Sequence, residues 1–196
     1  MTVTTQMVKE LRQQTGAGIM DCKNTLEETS GDMAKAAQIL REKGAVAAAK
    51  KTEREASEGR IEAYVHPGDK LAVLVEVNCE TDFVARTSMF QEFTHDLAMQ
   101  IAAMNPSWVS RGDIPAEVLK AQTEEYRAEM AGGNKPEHIM ERIIEGKLAK
   151  FYQQKCLLEQ PFIKDDAKTI QQLLIETIAG LGENIVIKRF ARFEIS

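Results

Sequence analysis

LAVLVEVNCETDFVAR, residues 71–86, is the stretch on which the fold turns. Its first seven residues form an apolar run rich in Val, the pattern of a buried strand. Thr81 is a good N-cap for a helix beginning at Asp82. A strand that passes at once into a helix excludes an all-helical chain and leaves Thr81, Asp82, Phe83 and Val84 at an exposed corner. A carboxylate is favoured there by the helix dipole. The Phe83 ring has two possible uses: it folds back onto its own sheet, or it projects to enter a partner. Position alone leaves both open.

Outward from this stretch, strand patterns recur at Ile61-Ala63-Val65 and over residues 185–195. His66-Pro67-Gly68-Asp69 turns the first hairpin. Alternation points Ile61, Ala63 and Val65 inward and Glu62, Tyr64 and His66 outward. Two helix-period stripes lie between the second and third strands: Phe90, Phe93, Leu97, Ile101 and Met104, then Ile170, Leu173, Leu174, Thr177, Ile178 and Leu181. Pro115 and Pro136 suit first helical turns, with Asn105-Pro106 and Gly132-Gly133-Asn134 as breaks. The expectation is a three-stranded antiparallel sheet with helices packed on one side.

Ahead of the sheet come three short amphipathic stretches. Val3, Met7 and Leu11 make one stripe, Ile19, Cys22 and Leu26 a second, and Met33, Ala36, Ala37, Leu40, Gly44 and Ala47 a third. The segments Gly16-Ala17-Gly18 and Ser30-Gly31-Asp32 separate them. The fold class is therefore α+β, organised as a three-helix N-terminal domain (1–50), a charged linker (51–58) and an α+β core that also serves dimerisation (59–196). Met20 lies roughly 120° from the centre of the second stripe and faces solvent or a partner. A thioether suits an adaptable docking surface.

Composition narrows the function classes. With 43% hydrophobic and 28% charged residues, the 196-residue chain reads as an ordered soluble protein with real cores. Residues 1–60 carry a net charge of +1 and the remainder −6, giving −5 overall. An acidic body without a basic stripe releases few phosphate counterions, which argues against direct nucleic-acid binding. No run approaches the roughly 18 apolar residues of a membrane span, and no basic leader with an apolar core opens the chain, so the expected address is the cytoplasm. Cys22, Cys79 and Cys156 are odd in number and widely spaced, as reduced thiols are, and no cluster has metal-ligand spacing. No nucleophile motif or catalytic constellation is present, so no cofactor and no enzymatic chemistry are expected. Gly16-Ala17-Gly18 lacks the further Gly and the Lys-Ser/Thr of a phosphate loop and follows a helix, so no nucleotide is expected to bind.

The segment NCETDFVAR (78–86) resembles the signature of bacterial elongation factor Ts. So do VKELR (8–12) with TGAGIMDCK (15–23), Gly44-Ala45 with AAKK (48–51), Lys135-Pro136, EGKL (145–148), QPF (160–162) and GENI (182–185), in the family's order and over nearly the whole chain. The length is similar to that of the short members, which carry one copy of the core unit.

This resemblance implies a ubiquitin-associated-like N-terminal bundle and a guanine nucleotide exchange factor for the GTPase elongation factor Tu, binding Tu·GDP and displaced when GTP enters. It implies that Thr81, Asp82, Phe83 and Val84 form a wedge acting at the partner's Mg²⁺ site, that Arg12, Ile19 and Met20 dock on its G domain, and that His66 is a hairpin-tip contact. With a single core copy, a noncovalent homodimer in a two-plus-two complex is expected; Phe190-Ala191-Arg192-Phe193 stands where some short relatives carry a crosslinking cysteine. The alternative is a ubiquitin-associated-like protein-binding scaffold.

Overall fold

The computed structural model of the protein describes residues 3–130 and 136–195. The Gly132-Gly133-Asn134 break and Lys135 lie outside them. Three helices come first, α1 (Thr5–Thr15), α2 (Ile19–Glu28) and α3 (Met33–Ala49). Thr4 caps α1 by accepting the Met7 amide, and Asp32 caps α3 by accepting that of Lys35. Gly16 closes α1 in the left-handed region at φ 67°, where a side chain would be strained. Leu11, Cys22, Leu26, Ala36, Ala37 and Leu40 form the bundle's core.

The main sheet is antiparallel in the order β1 (Glu58–Val65), β2 (Leu71–Cys79), β5 (Ile185–Glu194). Between β2 and β5 run α4 (Asp82–Ala85), α5 (Ser88–Met104), α6 (Ala116–Met130), α7 (Glu137–Lys155), β3 (Pro161–Phe162), β4 (Asp165–Thr169) and α8 (Ile170–Leu181). Helices α5 and α8 cover one face. Val73, Val75, Val77, Ile185 and Ile187 of the sheet meet Phe90, Phe93, Leu97, Ile101, Ile170, Leu174 and Ile178 there. Both stripes are thus core, except that Met104, at the end of α5, is exposed. The ribbon β3–β4 was not expected from the sequence. It is held by the buried Gln100 and Gln160: the Gln100 amide donates to Gln160 Oε1 and to Pro161 O, both at 3.1 Å.

Two expectations about facing are overturned. Ile61, Ala63 and Val65 point away from the helices, while Glu62 and Tyr64 point toward them. The register decides this, because Glu62 opposes Val75 and Tyr64 opposes Val73, and both valines are buried. Glu62 is tolerated inside because Arg60 Nη2 and His95 Nδ1 contact its carboxylate at 2.6 and 3.0 Å, while Tyr64 lies edge-on to His95. Ile19 is the second correction. It is 55% exposed, and α2 instead buries Cys22, Thr25 and Leu26; as the first helical residue, Ile19 stands beyond the cluster they enter.

Gly59 allows β1 to close on β2. At φ +145° a Cβ would lie 2.2 Å from Val77 O and 2.7 Å from Asn78 Cα, both backbone atoms that cannot move aside cheaply. Gly59→Ala is expected to lower unfolding stability by roughly 3 kcal/mol or more, read from urea or thermal denaturation. A midpoint within error of the parent protein would refute that close approach.

The bundle packs on the core through α3 and α8. Arg41 lies 3.9 Å from Glu176, and Lys51 Nζ donates to Ile178 O at 3.4 Å. No helix among the described residues is long and apolar enough to cross a membrane.

Candidate functional site

The corner after β2 is built from its ends inward. Cys79 is fully buried, with its Sγ 3.1 Å from Thr81 O. Thr81 then takes extended geometry and caps α4, its Oγ1 accepting the Val84 amide at 3.4 Å. That helix is a single turn. Ala85 is buried and Val84 packs against the core, so successive 100° steps turn Asp82 and Phe83 outward. The chain bends again at Arg86, and Thr87 caps α5 by accepting the Phe90 amide.

Phe83 is 79% exposed, more than any other large hydrophobic side chain among the described residues. The ring therefore does not fold back on its sheet. Leaving a phenyl group in water forgoes about 2 kcal/mol of burial, which a partner that covers it would supply. Asp82 is half exposed and sits 2.9 Å from Arg86 Nη2 one turn on. A surface pair of this kind is weak and can be opened by a competing ligand.

The corner is also tied from behind, by residues that sequence reading singled out only as part of the GENI block. Glu183 Oε2 accepts the amides of Glu80 and Thr81 at 3.1 and 3.0 Å, and its Oε1 accepts the Thr81 hydroxyl at 2.6 Å. Glu80 reciprocates: its Oε1 accepts the Asn184 amide at 2.6 Å, while Asn184 Nδ2 donates to Arg54 O at 2.7 Å. Gly182 ends α8 in the left-handed region, which turns Glu183 toward the corner. The sequence marks the turn itself, a Gly between a helical stripe and a strand, but not the partner that its carboxylate reaches.

Arg12, Ile19 and Met20 are all exposed, Met20 at 62%. They flank the α1–α2 turn, which the fold brings to the same end of α8 as the corner. A Cβ added at Gly180 would lie 3.3 Å from Gly16 O on one side and 3.2 Å from the Met89 sulfur, near the start of α5, on the other. His66 is not part of this grouping. It sits at the β1–β2 hairpin tip, the far end of a nine-residue strand roughly 30 Å long. Tyr64 Oη is 2.9 Å from its Nδ1.

All three cysteines are buried, and burial raises each thiol above its ordinary value, away from the reactive thiolate. Among the described residues no group of three or more His, Cys, Asp or Glu is placed to hold a metal.

Comparison with known proteins finds likeness over nearly the whole chain. A family model described as Elongation factor TS matches residues 2–196. Proteins named Elongation factor Ts are similar at 57% identity in Caldanaerobacter subterraneus subsp. tengcongensis, over 98% of this chain and 96% of that protein, and at 56% in Carboxydothermus hydrogenoformans, over 98% and 89%. The Herpetosiphon aurantiacus protein of that name is 53% identical over 100% of this chain and 98% of its own.

Proposed function

This chain belongs to the elongation factor Ts family, and from that membership we propose that it is a guanine nucleotide exchange factor for the translational GTPase elongation factor Tu. The observation that carries the reading is the exposed Phe83 on a one-turn helix whose other side is anchored in the core. Such a ring is a rigid wedge. In the proposed complex it enters a crevice between helices of the partner's G domain, close to the Mg²⁺ that helps hold GDP. Thr81 and Val84 fix the turn, and Asp82 brings negative charge and hydrogen-bond competition to the metal's shell. Mg²⁺ demands near-ideal octahedral geometry, so a small displacement of its surroundings weakens the site sharply.

Arg12, Ile19 and Met20 form the docking surface on the G domain. Their position beside the same end of α8 lets one chain present both contacts to the same partner. Burying one phenyl ring supplies about 2–3 kcal/mol toward the distortion. Nanomolar GDP affinity corresponds to about −12 kcal/mol, so the wedge does not outcompete the nucleotide at one contact; it works by favouring the nucleotide-free state. By reciprocity, whatever factor the chain takes from nucleotide affinity the nucleotide takes from its own. GTP entry then ejects the factor, with no covalent step.

The outer face of the sheet supports a homodimer. Ile61, Val65, Leu74 and Phe193 are exposed there, with Ala63, Ala72 and Ala191 between them, and among the described residues no helix packs over them. An apolar sheet face of this kind marks a protein contact. A second copy packing its own sheet on it would form a noncovalent two-fold interface and, in a two-plus-two complex, offer the partner one copy's wedge and the other's His66 tip.

Calorimetric titration tests the exchange reading through linkage. Affinity for nucleotide-free Tu is expected to exceed that for Tu saturated with GDP by about 100-fold at fixed Mg²⁺. Equal affinities for the two forms would refute exchange.

A further inference from the structure

We propose that Glu183 is a positioning residue for the wedge, acting through Thr81 to set the orientation of α4 and hence of Phe83. This inference rests on the exchange reading. Glu183 belongs to the turn between α8 and β5, on the far side of the corner from Phe83, yet all three of its hydrogen bonds fall on residues 80 and 81. The Thr81 hydroxyl is the link. It donates its only proton to Glu183 Oε1 at 2.6 Å and so turns a lone pair toward the Val84 amide, which it accepts at 3.4 Å as the cap of α4. One carboxylate therefore fixes two backbone amides of the strand exit and the capping hydroxyl of the wedge turn.

A one-turn helix needs such external support. With four residues, α4 lies far below the length at which helix propagation repays nucleation. Its inner side is held by Val84 and Ala85, two small side chains whose non-directional packing does not by itself set the rotation of the turn. Charge-assisted hydrogen bonds are directional and about twice as strong as neutral ones, so the carboxylate restricts that rotation. A pre-oriented ring delivers its burial energy to the partner's metal site instead of losing part of it on ordering the corner. The return bond from the Asn184 amide to Glu80 Oε1 holds the α8–β5 turn in the matching position.

Glu183→Gln tests this with the shape of the side chain retained. The amide oxygen still accepts the two backbone N–H groups, but an NH₂ now faces the Thr81 hydroxyl, which can no longer donate there. Stopped-flow release of fluorescent GDP from Tu is measured over a range of factor concentrations, in the wild-type and Phe83→Ala backgrounds. The expected result is a maximal release rate about 5-fold lower, with the half-saturating concentration within about 2-fold, and no further loss when Phe83 is already Ala. Glu183→Ala, which leaves both amides unpaired, is expected to cost about 30-fold in the same pattern; should it not fold, the Gln variant carries the test alone. A Glu183→Gln rate equal to wild type overturns the inference, as does a loss confined to half-saturation or one of equal size in both backgrounds. The exchange reading fails separately, if the unsubstituted chain itself leaves GDP release unchanged.

Discussion

Replacing Phe83 by Ala is expected to lower the maximal rate of GDP release from Tu by about 100-fold while changing the chain's own melting temperature by little. Both halves follow from exposure. The ring is 79% accessible in the isolated chain, so its removal leaves no cavity and uncovers no core. In the proposed complex the same ring is buried, and truncating a central aromatic anchor typically costs 2 kcal/mol or more. A loss of about 2.7 kcal/mol expressed only in the nucleotide-free state is about a 100-fold change in rate. Binding to Tu·GDP should be weakened far less, because Arg12, Ile19 and Met20 are untouched. A Phe83→Ala protein that releases GDP at the wild-type maximal rate would remove Phe83 from the mechanism.

The second large effect is expected at the sheet's outer face. Leu74 lies on the central strand, opposite Ala63 on one side and Ala191 on the other, which places it in the middle of the apolar surface. Leu74→Glu puts a carboxylate there. In the separate chain it is solvated and costs little, whereas between two copies it is a buried unpaired charge whose desolvation costs several kcal/mol. The dissociation constant of the homodimer should rise by at least about 100-fold, seen in sedimentation equilibrium as a shift from dimer to single-chain mass at micromolar concentration. Phe193→Glu, near the rim, should act in the same direction with a smaller effect. A wild-type protein that sediments as one chain at high micromolar concentration would contradict the dimer.

The main sheet and the helices that cover it were readable in the sequence because they carry local signals, which the β3–β4 ribbon lacks. The valine run of residues 71–77, the Thr81 cap and the periodic stripes of α5 and α8 reappear in place, since burial on one helix face and capping of free amides are local requirements. What failed were features set by tertiary neighbours. Hydrophobic alternation places Ile61, Ala63 and Val65 inside, but the outer face of this sheet is apolar too, so composition does not tell the faces apart and the register does. Glu62 could be inside only because Arg60 and His95 reach it, and His95 is 33 residues away.

At the site, the outward position of Phe83 could be suspected from its place after a capping Thr, but whether the ring folded back depended on Val84 and Ala85 taking the inner side. Glu183 lies 102 residues beyond Thr81, and no local pattern joins them. It becomes visible only once β5 pairs with β2 and sets Ile185 beside Cys79. Ile19 shows the converse: a residue on the right helical period is exposed because it is the first of its helix.

The central claim is that this chain loosens the grip of elongation factor Tu on GDP. Its most direct measurement is the dwell time of a fluorescent GDP on Tu at fixed Mg²⁺, followed by stopped flow after mixing with excess unlabelled nucleotide, with and without the wild-type chain. The account predicts that the dwell time shortens by orders of magnitude as the chain is added, and saturates with its concentration. A dwell time that stays the same at saturating concentrations of the folded chain would contradict it.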